Sequence, residues 1–441
     1  MHTGGLSTVR QGGDNQNRIL LLMIICMVLS YLPWYNFSAV LTYIAAEFNL
    51  SGSDTGTILA VFQVGYVIVV VLTGRLADLL GTRKVIFWAT LLTGVFSTAF
   101  VYLAGGFYSI LILRLLTGLS AGAIYAPGMA LLSNWFAPEQ RGRAIGAYTA
   151  ALTVAYGGSY FVASPLAAVY GWRVGMLWTS LPVFIAVIIL WLFVAEKPAK
   201  KDKFSRAGAA DNKSKSVLEP AQTVQPAPQG GYSGPAVLTV SYMGHMWELY
   251  AFWGWIGPFM TASFFAAGFA EAEATAWGGR LAAIIIMLGA PAVWLVGILA
   301  DRWGRTRAIL LAATCSLAAQ FFFGFLYGRS LVLLILVGLW IGFWVIADSG
   351  IFKAGLTEMV IDDIRATSLG IQSAIGYSMT VIAPWAFGRV LDLLNDGVSP
   401  VQASNWGLPF ITLGIGALLA PAAALFLRRL PQAILMAGGK K

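Results

Sequence analysis

Two ionisable side chains, His245 and Glu248, lie three residues apart within a long apolar stretch of the chain. On a helix this spacing places both on one face, which they share with Ser241, Phe252 and Trp255. A carboxyl group away from bulk water can take up and release a single proton, and a histidine one turn away can relay it. We therefore predict proton transfer at this pair, with a hydrogen-bonded tie between helices as the alternative.

Four more charged residues, Arg114, Arg280, Asp348 and Lys353, interrupt apolar stretches elsewhere in the chain. An ionised side chain at the centre of a bilayer costs about 3 kcal/mol, so such residues are candidates for function. Asp348 is added to the proton-transfer candidates. Lys353 is predicted either to contact an anionic substrate or to extend its amine to the membrane surface. Arg280 lies near the end of its stretch, where it either attracts anions or anchors the helix at the interface.

The elements that position these residues are predicted to be membrane helices. The chain is 58% hydrophobic and 11% charged, whereas soluble domains carry about 25% charged residues. A helix of about 20 apolar residues crosses ~30 Å of hydrocarbon. The sequence predicts an all-α membrane protein with twelve such spans, at residues 19–46, 55–77, 84–105, 109–135, 142–169, 174–195, 236–263, 276–300, 308–327, 331–355, 366–388 and 407–428.

Basic residues are concentrated at one end of the predicted helices. Most of the 28 lysines and arginines lie near the chain termini, in the central segment or after even-numbered spans. The positive-inside rule then places both termini in the cytoplasm of a multi-pass protein of the cell (inner) membrane, and it argues against a nucleic-acid partner. We predict a tail at 1–18, lobes at 19–195 and 236–428 joined by a cytoplasmic linker at 196–235, and a second tail at 429–441.

One phrase of the sequence occurs twice. Gly74-Arg-Leu-Ala-Asp78-Leu-Leu-Gly81 returns as Gly297-Ile-Leu-Ala-Asp301-Arg-Trp-Gly304, and Arg141 and Gly146 recur as Arg365 and Gly370 at nearly the same offset. Two stretches that keep one offset indicate a duplicated unit of about half the chain. Because each copy lies between apolar runs, the halves are predicted to be two pseudo-symmetric six-helix lobes of a transporter.

The repeated loop resembles the signature loop of the major facilitator superfamily, Gly-x-x-x-Asp-x-x-Gly-x-(Arg/Lys)-(Arg/Lys). The first copy matches throughout, and the second has Thr306 at the first basic position. Arg114-Leu-Leu-Thr-Gly118 and Pro138-Glu-Gln-Arg-Gly142 are similar to two further elements of the superfamily. The resemblance implies gating loops, with simple positive-inside anchoring as the alternative; their predicted residues are Gly74, Asp78, Gly81, Arg83, Gly297, Asp301, Gly304 and Arg307.

This resemblance implies a central site near the membrane midplane, which opens to each side in turn as the lobes rock. It also implies that spans one, four, seven and ten line the cavity, and that Arg114 takes part in proton coupling, with a structural helix tie as the alternative. The predicted substrate contacts are Tyr35, Asn36, Tyr125, Trp247, Lys353 and Arg280.

We expect a secondary transporter that moves a small solute, an organic anion, by proton-coupled alternating access. Gly244–Tyr250 and Ala347–Ser349 are similar to bacterial porters of the nitrate and cyanate branch. The alternatives are a proton-driven exporter of amphiphilic compounds and a non-transporting membrane sensor. The expected partners are the solute, protons and membrane lipid, acting on a monomer. No cofactor or metal is expected, and no nucleophile and base arrangement indicates an enzyme.

Overall fold

The computed structural model describes residues 5–136, 138–196 and 231–440, and these residues form helices without any strand. The first lobe contains six spans, numbered in chain order. Spans one to six are Gly5–Tyr31 continued by Leu32–Trp34, Asn36–Ala39 and Leu41–Glu47; Gly52–Leu80; Thr82–Leu103; Phe107–Ala121 with Tyr125–Trp135; Pro138–Tyr170; and Trp172–Ser180 with Pro182–Leu192.

The second lobe repeats this arrangement over residues 233–429. Spans seven to twelve are Ser233–Ala266; Glu271–Met287 with Gly289–Trp303; Arg305–Phe323 with Gly324–Leu326; Leu331–Trp344 with Ser349–Met359; Asp362–Asn395; and Gly407–Ala417 with Leu419–Arg429. Among the described residues, ten of these twelve spans are long and apolar enough to cross a membrane by length and composition. Spans seven and eleven are each 34 residues long and contain more polar and aromatic residues.

The internal symmetry is visible in the helix breaks. Span four is interrupted by a turn at residues 122–124, and span ten by a turn at residues 345–348. These breaks fall at equivalent positions of the duplicated halves. Two lobes with matching helix bounds and matching breaks confirm the predicted pseudo-symmetric fold of twelve helices.

The lobes contact each other closely at the end of the bundle where span one ends and span two begins, here called the far end. Asp392 of span eleven accepts hydrogen bonds from the backbone nitrogens of Gly52 (2.5 Å) and Ser53 (2.6 Å), at the start of span two. A Cβ atom on Gly388 would lie 2.1 Å from the carbonyl oxygen of Gly52. Only glycine permits so close an approach of the two backbones. The far end is therefore closed.

The opposite end, where the chain termini lie, is here called the near end, and it is open. Gly146 of span five and Gly370 of span eleven are exposed, and a Cβ atom on either would meet no atom within 4 Å. These are the two glycines that the internal repeat relates. The lobes thus contact each other closely at the far end, whereas open space lies beside Gly146 and Gly370 at the near end.

The signature loops make their contacts within their own lobes. Glu196 accepts hydrogen bonds from the backbone nitrogen (2.8 Å) and hydroxyl (2.6 Å) of Thr82, next to Gly81 in a left-handed conformation. Arg83 donates to two carbonyl oxygens at the end of span six. The surroundings of Gly74 and of the Asp78 side chain lie outside what the structure describes.

In the second lobe Arg305 bridges Asp301 (2.5 Å) and Glu358 (2.7 Å), while Gly304 has a φ of 109°. Arg307 reaches the carbonyl oxygen of Trp303 at 3.5 Å, and a Cβ atom on Gly297 would meet nothing within 4 Å. In this conformation the described gating residues form no bond between the lobes, and their role stays a prediction.

The predicted domain boundaries stay a prediction, and the helix bounds differ from them at the start of the chain. The first helix already begins at Gly5, so residues 5–18 extend span one instead of forming a separate tail. Residues 197–230 of the predicted linker lie outside the described residues. In the second tail, the 3-10 segment that begins at Pro431 is interrupted at Met436–Gly438, and the backbone nitrogen of Ala437 donates to Glu358 at 2.9 Å.

Candidate functional site

A break in span one positions Arg114. The first helix changes at Pro33 to the short 3-10 turn Leu32–Trp34, and Tyr35 separates this turn from the next helical segment. The two Nη atoms of Arg114 donate to the carbonyl oxygens of Pro33 and Trp34, each at 3.0 Å. The guanidinium also lies over the ring of Phe62, 4.3 Å from its centroid. Arg114 is thus held by main-chain oxygens and an aromatic face.

Among the described residues, no acid neutralises this arginine. Arg114 is 2% exposed, and among the described residues no carboxylate lies within 4.0 Å of it. Its Nε atom has no hydrogen-bond partner. Because an isolated buried charge is costly, this guanidinium is suited to receive an anion.

Arg114 lines a narrow central cavity between the two lobes. Of its lining groups, the indole nitrogen of Trp34, the hydroxyl of Tyr35, the amide oxygen of Gln63 and Nε of Arg114 have no hydrogen-bond partner. Native proteins pair most buried polar atoms, so several unpaired ones around one cavity indicate a ligand site. The lining residues are Trp34, Tyr35, Leu59, Phe62, Gln63, Arg114, Tyr250, Gly254 and Pro384.

Aromatic rings form much of the cavity wall. The Trp34 ring lies 4.9 Å from that of Phe62 and 6.5 Å from that of Tyr250. Tyr250 in turn packs against Tyr377 of span eleven at 5.9 Å. The wall therefore joins aromatic residues of both lobes, and it presents flat apolar faces beside one positive charge.

In the second lobe the break in span ten positions an acid and a histidine. Asp348 is the last residue of the turn, and the helix Ser349–Met359 begins directly after it. Nδ1 of His245 lies 2.9 Å from Oδ1 of Asp348, and its Nε2 atom lies 2.6 Å from the hydroxyl of Ser349. His245 and Asp348 are both 2% exposed, whereas Ser349 is half-buried. A chain of three hydrogen-bonded groups thus runs from Asp348 through His245 to the more accessible Ser349.

Glu248 lies one turn from His245 but faces a different helix. Its Oε1 atom accepts hydrogen bonds from the hydroxyl of Ser316 and from Nε2 of Gln320 (3.1 Å), both on span nine. Ser241, on the same face of span seven, donates to span twelve. The polar stripe predicted from the sequence therefore points into the interior of the second lobe and not into the central cavity.

Of the six predicted substrate contacts, only Tyr35 lines the cavity. Asn36 donates to a threonine of span six at 3.1 Å, and Tyr125 hydrogen-bonds a threonine of span five at 2.8 Å. Trp247 donates to a carbonyl oxygen of span twelve at 3.2 Å. Each of these three side chains hydrogen-bonds within its own lobe, and none is among the residues that line the cavity around Arg114.

The two predicted cationic contacts also lie apart from the cavity. The amine of Lys353 donates to Ser373 at 2.8 Å and lies 4.3 Å from the ring centroid of Tyr242. The guanidinium of Arg280 lies over the ring of Trp277, 4.9 Å from its centroid. Both residues belong to the first part of span eight, at the far end of the bundle. The stacking on tryptophan favours the anchoring alternative for Arg280.

The cavity contains residues that the sequence did not select as contacts. Gln63 of span two and Pro384 of span eleven were missed because only spans one, four, seven and ten were expected to line the path. Tyr250 lies on an expected span, two residues beyond Glu248. A polar amide in an otherwise apolar helix, as at Gln63, was the signal available in the sequence.

Comparison with known proteins agrees with this geometry. The family model of the Major Facilitator Superfamily matches residues 23–384. The hexuronate transporter of Bacillus subtilis is 30% identical over 193 residues, which is 44% of this chain and 46% of that protein. The putative niacin/nicotinamide transporter NiaP of the same organism is 25% identical over 363 residues, which is 80% of this chain and 83% of that protein.

A solved structure supports the fold. The inward-facing, occupied form of a bacterial homologue of the human lysosomal transporter Spinster superposes with a TM-score of 0.72 at 17% identity. The superposition covers 93% of this chain and 95% of that one. The chain thus belongs to the major facilitator superfamily, as a multi-pass membrane transporter of small solutes and not an enzyme.

Proposed function

We propose that this protein is a secondary active transporter that imports a small organic anion together with protons. The observation that carries the proposal is the buried Arg114 on the central cavity, which has no acid partner among the described residues. An anion bound there gains a charge-assisted hydrogen bond and removes the cost of the isolated cation. We assign Arg114 to the substrate, in place of the proton-coupling role that the family resemblance implies.

The proton is proposed to bind at the pair His245–Asp348. With His245 neutral this pair carries one negative charge, and one added proton cancels that charge. The empty protein then holds an uncompensated positive site in the first lobe and a negative site in the second. Binding of one monoanion and one proton neutralises both, which favours the loaded protein for the rearrangement of the lobes within a low-dielectric environment.

Glu248 remains a candidate for proton coupling, but its contacts favour a structural role. Both of its hydrogen-bond donors belong to span nine, and no basic side chain pairs with it among the described residues. A glutamate in this position ties span seven to span nine within one lobe.

We place the protein in the cytoplasmic membrane, as a monomer in lipid, with both termini in the cytoplasm. The basic residues near the chain ends support this orientation. The near end then faces the cytoplasm, and the closed far end corresponds to an inward-open conformation. The signature loops lie at the cytoplasmic side, where they are proposed to join the lobes when the protein opens outward.

The relatives support an anionic solute. Hexuronate, in the name of one relative, is a carboxylate, and the name of another pairs niacin, a carboxylic acid, with its neutral amide nicotinamide. The likeness of spans seven and ten to nitrate and cyanate porters stays a prediction. In such carriers two arginines at mid-membrane, one of them on span two, would hold the nitrate ion. In this protein span two contributes Gln63 to the cavity and no arginine.

Transport into proteoliposomes tests the proposal. Radiolabelled glucuronate and nicotinate are offered under an imposed proton gradient, acidic on the side of uptake, with and without a protonophore. We expect gradient-dependent accumulation of at least one of these acids. Loss of solute from preloaded vesicles under the same gradient indicates an exporter, and binding without flux indicates a sensor.

The variant Asp348→Asn tests the proton site, because asparagine keeps the shape of the side chain and can still bond to His245. We expect accumulation to fall at least about tenfold, while counterflow, which needs no net proton movement, persists. Asp396→Asn, in an exposed far-end loop, is the matched control. Equal loss of accumulation and counterflow in Asp348→Asn contradicts the assignment.

A further inference from the structure

We propose that the central cavity binds a flat aromatic monocarboxylate in preference to a sugar acid or an aliphatic acid. The inference rests on the proposed function, since it assumes an anion at Arg114. It adds the chemical class of the anion, which follows from the charge, the faces and the polar atoms that the cavity presents.

The charge of the cavity fits a single carboxylate. Arg114 is the only cation among its lining residues in the described part of the chain. One Nη atom is bonded to Pro33 and the other to Trp34, while Nε is unpaired and each Nη keeps a second hydrogen. This leaves donors for the two oxygens of one carboxylate. A dicarboxylate would bring a second charge that meets no cation.

The walls fit an aromatic body. The rings of Trp34, Phe62 and Tyr250 line the cavity, and Leu59, Gly254 and Pro384 complete its apolar surface. Aromatic pairs gain energy beyond the burial of area when rings stack or meet edge to face. A planar ring can use this gain, whereas a puckered saturated ring of the same size cannot.

The number of polar atoms is too small for a sugar acid. Beside Arg114, the cavity offers three unpaired neutral groups, on Trp34, Tyr35 and Gln63. A hexuronate carries several hydroxyl groups, and each one left without a partner in a buried site costs affinity. The amide oxygen of Gln63 can instead accept from one hydroxyl substituent on an aromatic ring.

A single six-membered ring with a carboxylate and one small substituent is the class that the charge, the aromatic walls and the few polar atoms of the cavity define together.

Equilibrium binding to the purified full-length protein in lipid nanodiscs tests the inference. Radiolabelled benzoate is displaced by unlabelled cyclohexanecarboxylate, glucuronate, benzamide and 4-hydroxybenzoate. We expect benzoate to bind at least about tenfold more tightly than cyclohexanecarboxylate and glucuronate, and benzamide, which lacks the charge, not to compete. 4-Hydroxybenzoate should bind more tightly than benzoate.

Three variants locate the preference in the cavity. Tyr250→Leu should reduce the advantage of benzoate over cyclohexanecarboxylate to less than about threefold, while Tyr250→Phe keeps it. Gln63→Leu should remove the advantage of 4-hydroxybenzoate over benzoate. Arg280→Gln, a cation outside the cavity, is the control and should bind benzoate like the wild type.

The outcomes separate the inference from the proposed function. If glucuronate or cyclohexanecarboxylate binds as tightly as benzoate and the binding is lost in Arg114→Gln, the aromatic preference is wrong and the anion site stands. If no carboxylate of this panel binds, or if binding is unchanged in Arg114→Gln, both the inference and the proposed anion site are wrong.

Discussion

The two lobes share one fold but differ in whether their buried charged side chains have hydrogen-bond or ionic partners. In the first lobe Arg114 has no acid partner among the described residues, and the polar atoms around it are unpaired. In the second lobe His245 pairs with Asp348 and Ser349, and Glu248 accepts two hydrogen bonds from span nine. The position of span ten that holds Asp348 corresponds to Ile124 in span four. The two lobes are therefore symmetric in their helices but not in the positions of their buried charged residues.

This difference suggests a division of tasks. A site with unpaired donors can gain a ligand that supplies the missing acceptors. A site whose groups already bond to one another gains little from a solute, but it can change its charge by one proton without losing its hydrogen bonds. The first lobe is thus suited to hold the solute and the second to carry the proton.

The largest expected effect comes from Arg114→Gln, which removes the charge of the first lobe's site. We expect solute affinity to fall about 100-fold, because a buried charge-assisted bond is lost. Counterflow and gradient-driven accumulation, measured in proteoliposomes, should then fall together. If counterflow survives and only accumulation is lost, Arg114 belongs to proton coupling and the comparison between the lobes fails. Arg280→Gln is the matched control.

Asp392→Asn is expected to have the next largest effect. Closure of the far end is proposed to govern access both to the solute site at Arg114 and to the proton site at His245–Asp348. Asp392 binds two backbone N–H groups of the other lobe, and its charge stabilises the helix start of span two. Loss of the charge should raise the outward-open fraction about tenfold. The two native cysteines, Cys26 and Cys315, are first removed, and a cysteine is introduced at Gln63. The rate at which a membrane-impermeant thiol reagent labels this cysteine from outside is then measured.

The control for this experiment is Asp396→Asn, which lies in the same far-end region and is exposed. It should label at the rate of the parent protein. Equal labelling of both variants shows that the carboxylate of Asp392 does not hold the lobes together.

Glu248→Gln sharpens the comparison inside the second lobe. Glutamine keeps the shape of the side chain and can still accept from Ser316 and Gln320, so we expect accumulation within about threefold of the wild type. Its effect should resemble that of Ser316→Ala, which weakens the same tie. A loss as severe as that in Asp348→Asn, with counterflow preserved, identifies Glu248 as the proton carrier.

The smallest effect is expected at the surface of the first lobe. Arg173 and Glu47 form a partly exposed ion pair with an N–O distance of 2.8 Å, and such pairs contribute little to stability. Glu47→Gln should change the melting temperature in detergent by no more than about 1 °C, and high salt should abolish the difference. A shift of several degrees shows that exposed charges stabilise this lobe as strongly as buried ones.

The fold could be predicted because its signals are large. Lipid requires long apolar helices whose lengths match the membrane, and the duplicated loop marks the two halves. The breaks in spans four and ten were not predicted. Neither turn contains a proline, and each depends on packing against neighbouring helices.

The site was predicted less completely, because the sequence does not reveal how each helix is rotated. Most faces of spans one and seven are buried, so apolar and aromatic residues occur all around them and the pattern marks no face. Tyr35 and Trp247 therefore looked alike, yet one lines the cavity and the other faces span twelve. The deep charges of Arg114, His245 and Asp348 could be found, since their rarity in apolar helices is itself a signal.

The attachment of Arg114 to main-chain carbonyl oxygens has an evolutionary consequence. Every amino acid carries the same carbonyl group, so substitutions that preserve the bend at Pro33 leave the anchor of the guanidinium in place. The surrounding side chains at positions 34, 63 and 250 are free to diverge. Descendants of this chain could thereby acquire new solutes while they retain the positive charge. Selection would change the side chains that line the cavity before it changed Arg114 and the bend that holds it.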